Sequence, residues 1–315
     1  MSRSLPILES LALFLLATTL ASCRTIEQPA ESVAGVLPPP RVQAGDLGEP
    51  GVSKTDFQLP ASPMICGESI PVDRPAVRER LEYEFLLLVH NPAQVELWRR
   101  RAIRYFPLIE SSLRTAGLPD DLKYLAVGES DLRPTVFSPA GAAGLWQFMP
   151  STARGFGVKV TRAEDQRLLA DVALPAGMTF LGQLRGQFGN WPLAMAAYNA
   201  GGGRISQALS QGGSDYWELN LPRETERYVY RIAAIKLVME GAPAYGFNDR
   251  APAGLYRPDL YDESMVTFPS GSTWASVAQR YGVGYKALKL LNPHLASRST
   301  LDGGPYLFRT PKKSV

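Results

Sequence analysis

From Asp73 onward, apolar residues recur at helical spacing along most of the chain. Residues 77–90 carry Leu81, Tyr83, Phe85 and a run of three leucines. Residues 95–116 bring Trp98, Ala102, Phe106, Ile109, Leu113 and Ala116 to one side. Both stretches predict helices whose aromatic residues serve as core. Gly117, Leu118 and Pro119 then stop one helix and start the next, with Pro119 suited to the first helical position. Leu122, Leu125, Ala126 and Glu129 follow at i, i+3, i+4 and i+7 and share a face that is apolar apart from Glu129. Burial and the negative end of the helix dipole both raise a carboxyl pKa. An acid kept protonated near neutral pH is equipped for general acid catalysis. The same pattern also fits a glutamate that rolls out to solvent at a frayed helix end. Gly128 weakens this helix by up to about 1 kcal/mol relative to Ala.

Beyond Glu129 the period changes. Ser138 and Pro139 predict a turn, and Gly141 and Gly144 allow a close backbone approach. Residues 145–149 read as a short extended segment, with Leu145, Gln147 and Met149 on one side. Pro150, Ser151 and Thr152 open another helix. Residues 168–188 are helical in period, with Pro175 expected to kink or divide them. Trp191 and Pro192 open a helix that ends at Ala197, Tyr198 and Asn199, and Gly201, Gly202 and Gly203 break it. That glycine run lacks the pattern of a phosphate-binding loop. Residues 222–239 form a further helix with Tyr228, Ile232, Ile235 and Met239 on one face and Glu224 and Glu226 in its first turn.

The C-terminal part changes scale. Residues 249–263, with Pro252 and Pro258, read as a linker. Residues 264–311 read as a small module: a strand at Val266, Thr267 and Phe268, helices over 274–281 and 285–290, and a returning strand at Tyr306, Leu307 and Phe308.

The N-terminal part is of another kind. Residues 1–22 have a basic Arg3 and an apolar core too short for a confident membrane span, which is the pattern of an export signal. Residues 23–75, rich in Pro, Ala, Gly and Val, read as a flexible tether. The folded remainder, residues 76–248, forms the main helical domain. The net charge of +3 is small and dispersed, which argues against nucleic acid as a partner. With two cysteines and two histidines, His90 and His294 far apart, no metal-ligand cluster is expected. The chemistry points to a carboxylate.

Several ordered runs carry a resemblance. Glu129 and Ser130, then SPAGAAGLWQFMPSTA at 138–153, AAYNAG at 196–201 and PRETERYV at 222–229, resemble the signatures of lytic murein transglycosylases. The resemblance is nearest to the membrane-bound type D group. It implies a mainly α, lysozyme-like (goose-type) helical domain with a very small β element. It also implies that the C-terminal βααβ module is similar to a LysM unit, which binds N-acetylglucosamine-containing glycans. The match there is degenerate, since Gly271, Ser272, Thr273 and Trp274 stand where GDTL is usual. Leu20, Ala21, Ser22 and Cys23 resemble a lipobox, which implies lipidation of Cys23. With Arg24 after it, the implied location is the outer membrane, facing the periplasm. Cys66 then has no partner in its own chain and is either a free thiol, the favoured reading, or an intermolecular link.

By the same resemblance, Glu129 is the catalytic residue, and Ser138, Gln147, Met149, Tyr198, Asn199 and Glu224 line the cleft around the scissile sugar. For Met149, plain core packing is the competing reading. The peptidoglycan glycan strand is the expected partner, with no cofactor and no metal. Glu129 is expected to act as acid and then base on the bond between N-acetylmuramic acid and N-acetylglucosamine, giving a 1,6-anhydro product. The family usually has an uninterrupted helix where Pro175 stands, and a bulkier residue ahead of the catalytic Glu than Val127 and Gly128 provide. Two alternatives stand beside this reading: a muramidase on the same fold, with Glu224 a conceivable second carboxylate, and a non-catalytic wall-binding lipoprotein.

Overall fold

A computed structural model describes residues 57–247, 256, 258–296, 300, 301 and 303–312. The signal-peptide reading, Cys23 and most of the linker at 249–263 therefore lie outside the described residues. The architecture is mainly α, with small β elements at its two ends.

The described chain enters through a hairpin of β1 (Met64–Ile65) and β2 (Glu68–Ser69). Here the expectation of a tether reaching residue 75 is corrected. Ile65, Cys66, Ile70 and Val72 are buried in the main core. The Glu68 carboxylate accepts the Trp191 amide at 3.0 Å, and Asp121 accepts the Cys66 amide at 2.6 Å. Four apolar side chains with two polar anchors make this stretch part of the domain. Cys66 is a free thiol, and burial, with Asp121 and Glu68 nearby, pushes its pKa up. A buried, protonated thiol is inert.

Helices α1 (Pro75–Val89) and α2 (Pro92–Ala116) follow, the second capped by the Asn91 side chain and ended by Gly117 at φ 66°. Pro119 precedes a 3-10 turn, Asp120–Leu122, rather than opening the α-helix; α3 is the short helix Lys123–Ser130. Then come α4 (Pro150–Gly155), α5 (Ala170–Phe188), α6 (Trp191–Ala200), α7 (Gly202–Ser210) and α8 (Arg223–Glu240). Pro175 does not divide α5. It stands within its first two turns, where the missing N–H forfeits a single intrahelical bond. Residues 191–197 of α6 are all buried, the mark of a helix enclosed on every side. Helix α8 is nearly as enclosed: Val229, Ile232, Ala233, Ala234, Ile235 and Val238 are fully buried where it packs on α1, α3 and α6. The two helices form the centre of the domain.

The C-terminal unit runs β3 (Tyr261–Phe268), α9 (Trp274–Tyr281), α10 (Tyr285–Leu291), β4 (Gly303–Pro311), with the strands antiparallel. The βααβ order is as expected, but the strands are longer. Tyr261, Asp262 and Glu263, expected as linker, pair with Pro311, Thr310 and Arg309. Phe268, Trp274, Val277, Leu288, Leu301 and Phe308 give this unit its own core. Among the described residues, no helix is long and apolar enough to cross a membrane.

Candidate active site

Glu129 lies in the last turn of α3, and the chain just beyond it is tightly held. The buried Ser130 hydroxyl donates 3.0 Å bonds to the Ala126 and Leu145 carbonyls, tying the helix end to the loop that follows. Asp131 and Leu132 both have positive φ, 55° and 56°, which is uncommon outside glycine. The conformation persists because Asp131 is anchored. Its carboxylate accepts from Trp98 Nε1 at 2.9 Å and Gln94 Nε2 at 3.2 Å, and its carbonyl accepts from Arg101 at 2.9 Å. Asp131 is thus fully employed away from Glu129.

The Glu129 carboxyl is half-buried and lines a cleft of about 670 Å³. Tyr228 of α8 donates to its Oε1 at 2.6 Å. Burial raises the Glu129 pKa from 4.5 to about 7; the Tyr228 bond and the Arg231 charge act against that rise, and the Glu224 charge reinforces it. Tyr228 itself is pushed well above its ordinary value by burial and the Glu129 charge, so it remains an O–H donor.

Gly128 explains how α8 comes so close. A Cβ there would stand 2.3 Å from Ile232 Cδ1. Ile232 lies one helical turn beyond Tyr228, so the contact that needs glycine also delivers the Tyr228 hydroxyl to Glu129. What reads in the sequence as a weakness of the helix is a packing requirement.

Ser138, Gln147, Met149, Tyr198, Asn199 and Glu224 all line the same cleft. The extended reading of 145–149 is corrected. Gln147 has φ 46°, and Ala143 and Phe148 exchange backbone hydrogen bonds at 3.1 Å, which folds the segment into a tight loop. Leu145, Trp146 and Phe148 are all buried, so alternation fails. Gln147 Nε2 donates to Gly144 O at 2.8 Å and Val136 O at 3.2 Å, leaving its carbonyl as the acceptor available to a ligand. The Ser138 hydroxyl accepts the Ala142 amide. Met149 is 41% exposed, which removes core packing as its role. The Tyr198 hydroxyl donates to Trp146 O at 2.7 Å, so its proton serves to hold the cleft wall. Glu224 is exposed at the start of α8, whereas Glu226 turns away and pairs with Arg80 at 2.7 Å.

The residue missed in the sequence is Tyr228, placed there on one helix face with Ile232, Ile235 and Met239 and given no role. The available signal was its spacing: Glu224, Tyr228 and Arg231 fall at i, i+4 and i+7, a stripe that faces the cleft. Among the described residues there is no group of His, Cys, Asp and Glu able to hold a metal ion.

Comparison with known proteins now adds to this geometry. Residues 107–219 match the family model described as Transglycosylase SLT domain. Helix α8, which supplies Glu224 and Tyr228, lies just beyond the match. The chain is 32% identical over 223 residues to membrane-bound lytic murein transglycosylase D of Escherichia coli K12, covering 68% of this chain and 47% of that protein. It is 41% identical over 86 residues to the soluble lytic murein transglycosylase of Salmonella typhimurium, covering 26% and 13%. Among solved structures, the 70 kDa soluble lytic transglycosylase of Escherichia coli aligns with TM-score 0.37 and 27% identity, covering 44% of this chain and 24% of that one. The chain thus spans about half the length of the type D relative. The segment that carries Glu129, residues 107–219, matches a transglycosylase SLT domain.

Proposed function

We propose that the protein is a peptidoglycan lytic transglycosylase in which Glu129 serves first as acid and then as base. The observation that carries this is the half-buried Glu129 carboxyl, with a pKa near 7, held by Tyr228 on the wall of a cleft. At neutral pH such a group is near half-protonated, suited to give a proton and to take one back.

Glu129 donates its proton to the glycosidic oxygen between N-acetylmuramic acid and N-acetylglucosamine, and the bond from C1 to that oxygen breaks. The substrate's acetamido group supports the positive charge on C1. The C6 hydroxyl of the same muramic residue then closes on C1, and its proton passes to the Glu129 carboxylate. The glutamate returns to its starting state, no water is consumed, and the product is a 1,6-anhydro sugar. Tyr228 stabilises the ionised form between the two steps, as a hydrogen bond to a charged acceptor does. Ser138, Gln147, Met149 and Asn199 contact the glycan, while Tyr198 acts through the wall it holds.

From the lipobox-like run at residues 20–23 we further propose that the protein is exported and attached to the outer membrane by lipid at Cys23; the type D relative is itself named as membrane-bound. The βααβ unit is read as LysM-like, a module for glycan strands.

One observation favours a second reading: Glu224 lines the same cleft as Glu129. Two facing carboxyls are the equipment of a hydrolase. Mass spectrometry of muropeptides released by the wild type and by Glu129→Gln separates the two. Anhydro-muropeptides from the wild type alone are expected. Reducing-end products would make the protein a muramidase, and retained wall binding with no products would make it a binding protein.

A further inference from the structure

The βααβ unit grips one short segment of the helical domain at both ends. Near residue 163 the two exchange backbone hydrogen bonds: Ala296 N donates to Ala163 O at 2.9 Å and Asp165 N to His294 O at 2.7 Å. At the other end, Arg309 of β4 donates to both oxygens of Asp171 at 2.8 and 2.7 Å and to Glu263 at 2.6 Å. Tyr261 adds a 2.7 Å bond to Asp171, and its ring lies 4.4 Å from the Arg309 guanidinium. Arg309 is buried while its partners Asp171 and Glu263 reach solvent, so the clamp is partly shielded from water and from salt.

Between those two grips stands Arg167, 4% exposed and pointing the other way. Its fork binds Asp165 through Nε at 2.9 Å and Nη2 at 2.7 Å. Its Nη1 donates to Gly141 O at 2.8 Å and to Phe148 O at 2.7 Å. Those carbonyls belong to the loop that presents Ser138, Gln147 and Met149 to the cleft. A Cβ on Gly144 would stand 1.9 Å from Arg167 O, so the loop is wrapped directly on this backbone. No Glu129 contact is involved; α3 and α8 supply other parts of the cleft lining.

We propose that the βααβ unit braces the substrate-binding loop through residues 163–171, and that Arg167 is the positioning residue that transmits the brace. The unit then contributes to catalysis as a fixed support of the cleft, whatever glycan it binds itself. For the role in substrate binding this rests on the transglycosylase reading; for the brace itself it does not.

The test uses the full chain with two substitutions, Arg167→Lys, which loses the fork, and Asp171→Asn, which loosens the clamp far from the cleft. Amide exchange at Ala143, Gly144 and Phe148 is expected to quicken about tenfold in both, with α3 and α8 unchanged. KM for peptidoglycan is expected to rise about tenfold with a smaller change in kcat and no movement of the alkaline limb set by Glu129. Asp171→Asn with wild-type loop exchange and wild-type KM would overturn the proposal. So would a loss of activity in proportion to unfolded protein at constant KM. If the wild type releases no anhydro-muropeptides, the proposed function fails while the exchange measurements still decide the brace.

Discussion

Replacing Glu129 by Gln should remove activity and make the protein more stable, but only above a defined pH. The carboxyl has a folded pKa of about 7 against an ordinary 4.5, chiefly through burial. Below 4.5 it is protonated in both the folded and unfolded states and has no effect. As pH rises from 4.5 to 7 the unfolded chain releases the proton first, so stability is lost across that window and stays lost above it. At about 1.4 kcal/mol per unit, the full shift corresponds to roughly 3 kcal/mol. The carboxyl opens to the cleft on one side, and water there reduces this to on the order of 1–2 kcal/mol. Gln cannot ionise but retains an oxygen to accept the Tyr228 bond. Thermal unfolding at pH 8 should therefore place the Tm of Glu129→Gln about 3–6 °C above the wild type. The two should melt together at pH 4.5. A variant that melts at or below the wild-type temperature at pH 8 would refute the claim that burial raises the pKa of this acid.

Three further substitutions probe the same wall. Tyr228→Phe removes a hydrogen bond that favours the charged form, worth about 1.5–3 kcal/mol, so the alkaline limb of kcat/KM should move up by about one unit or more. An unmoved limb would mean that Glu129 is not the group that sets it. Glu224→Gln removes a charge that raises the Glu129 pKa, so that limb should move down by a fraction of a unit, less so at high salt; an upward shift would contradict the assignment. Gly128→Ala should cost about 1–3 kcal/mol in urea unfolding by pressing on Ile232, less the helix-propensity gain. Adding Ile232→Val removes the obstructing Cδ1, so the double variant should be more stable than the sum of the two single changes; strict additivity would count against the clash.

Much of the molecule was legible because local pattern and final structure agree. Residues 274–281 show a capping Thr273, an amphipathic stretch and a closing Gly282, and they form α9 over that span. Glu129 stood out because it interrupts an apolar stripe, and that stripe is buried as the spacing required. What was not legible depends on specific contacts, most of them with partners far away in the chain. Tyr228 looks like core because its ring is core; only its hydroxyl reaches Glu129, 99 residues away in sequence. Gln147 escapes an alternation argument because its positive φ is sustained by its own side chain bonding back to residues 136 and 144. Residues 57–72 have a tether's composition, yet Ile65, Ile70 and Val72 find the core and Glu68 caps α6. Gly128 carries opposite meanings in isolation and against α8. In each case specific contacts override the local period.

The central claim is that one carboxyl closes the sugar ring on itself without water. Digestion of purified peptidoglycan in ¹⁸O-labelled water, followed by mass spectrometry of the released muropeptides, tests this most directly. The account predicts anhydro-muropeptides, one water lighter than reducing-end products and free of label at C1, from the wild type and none from Glu129→Gln. Reducing-end muropeptides labelled at C1 would contradict it and make the reaction a hydrolysis.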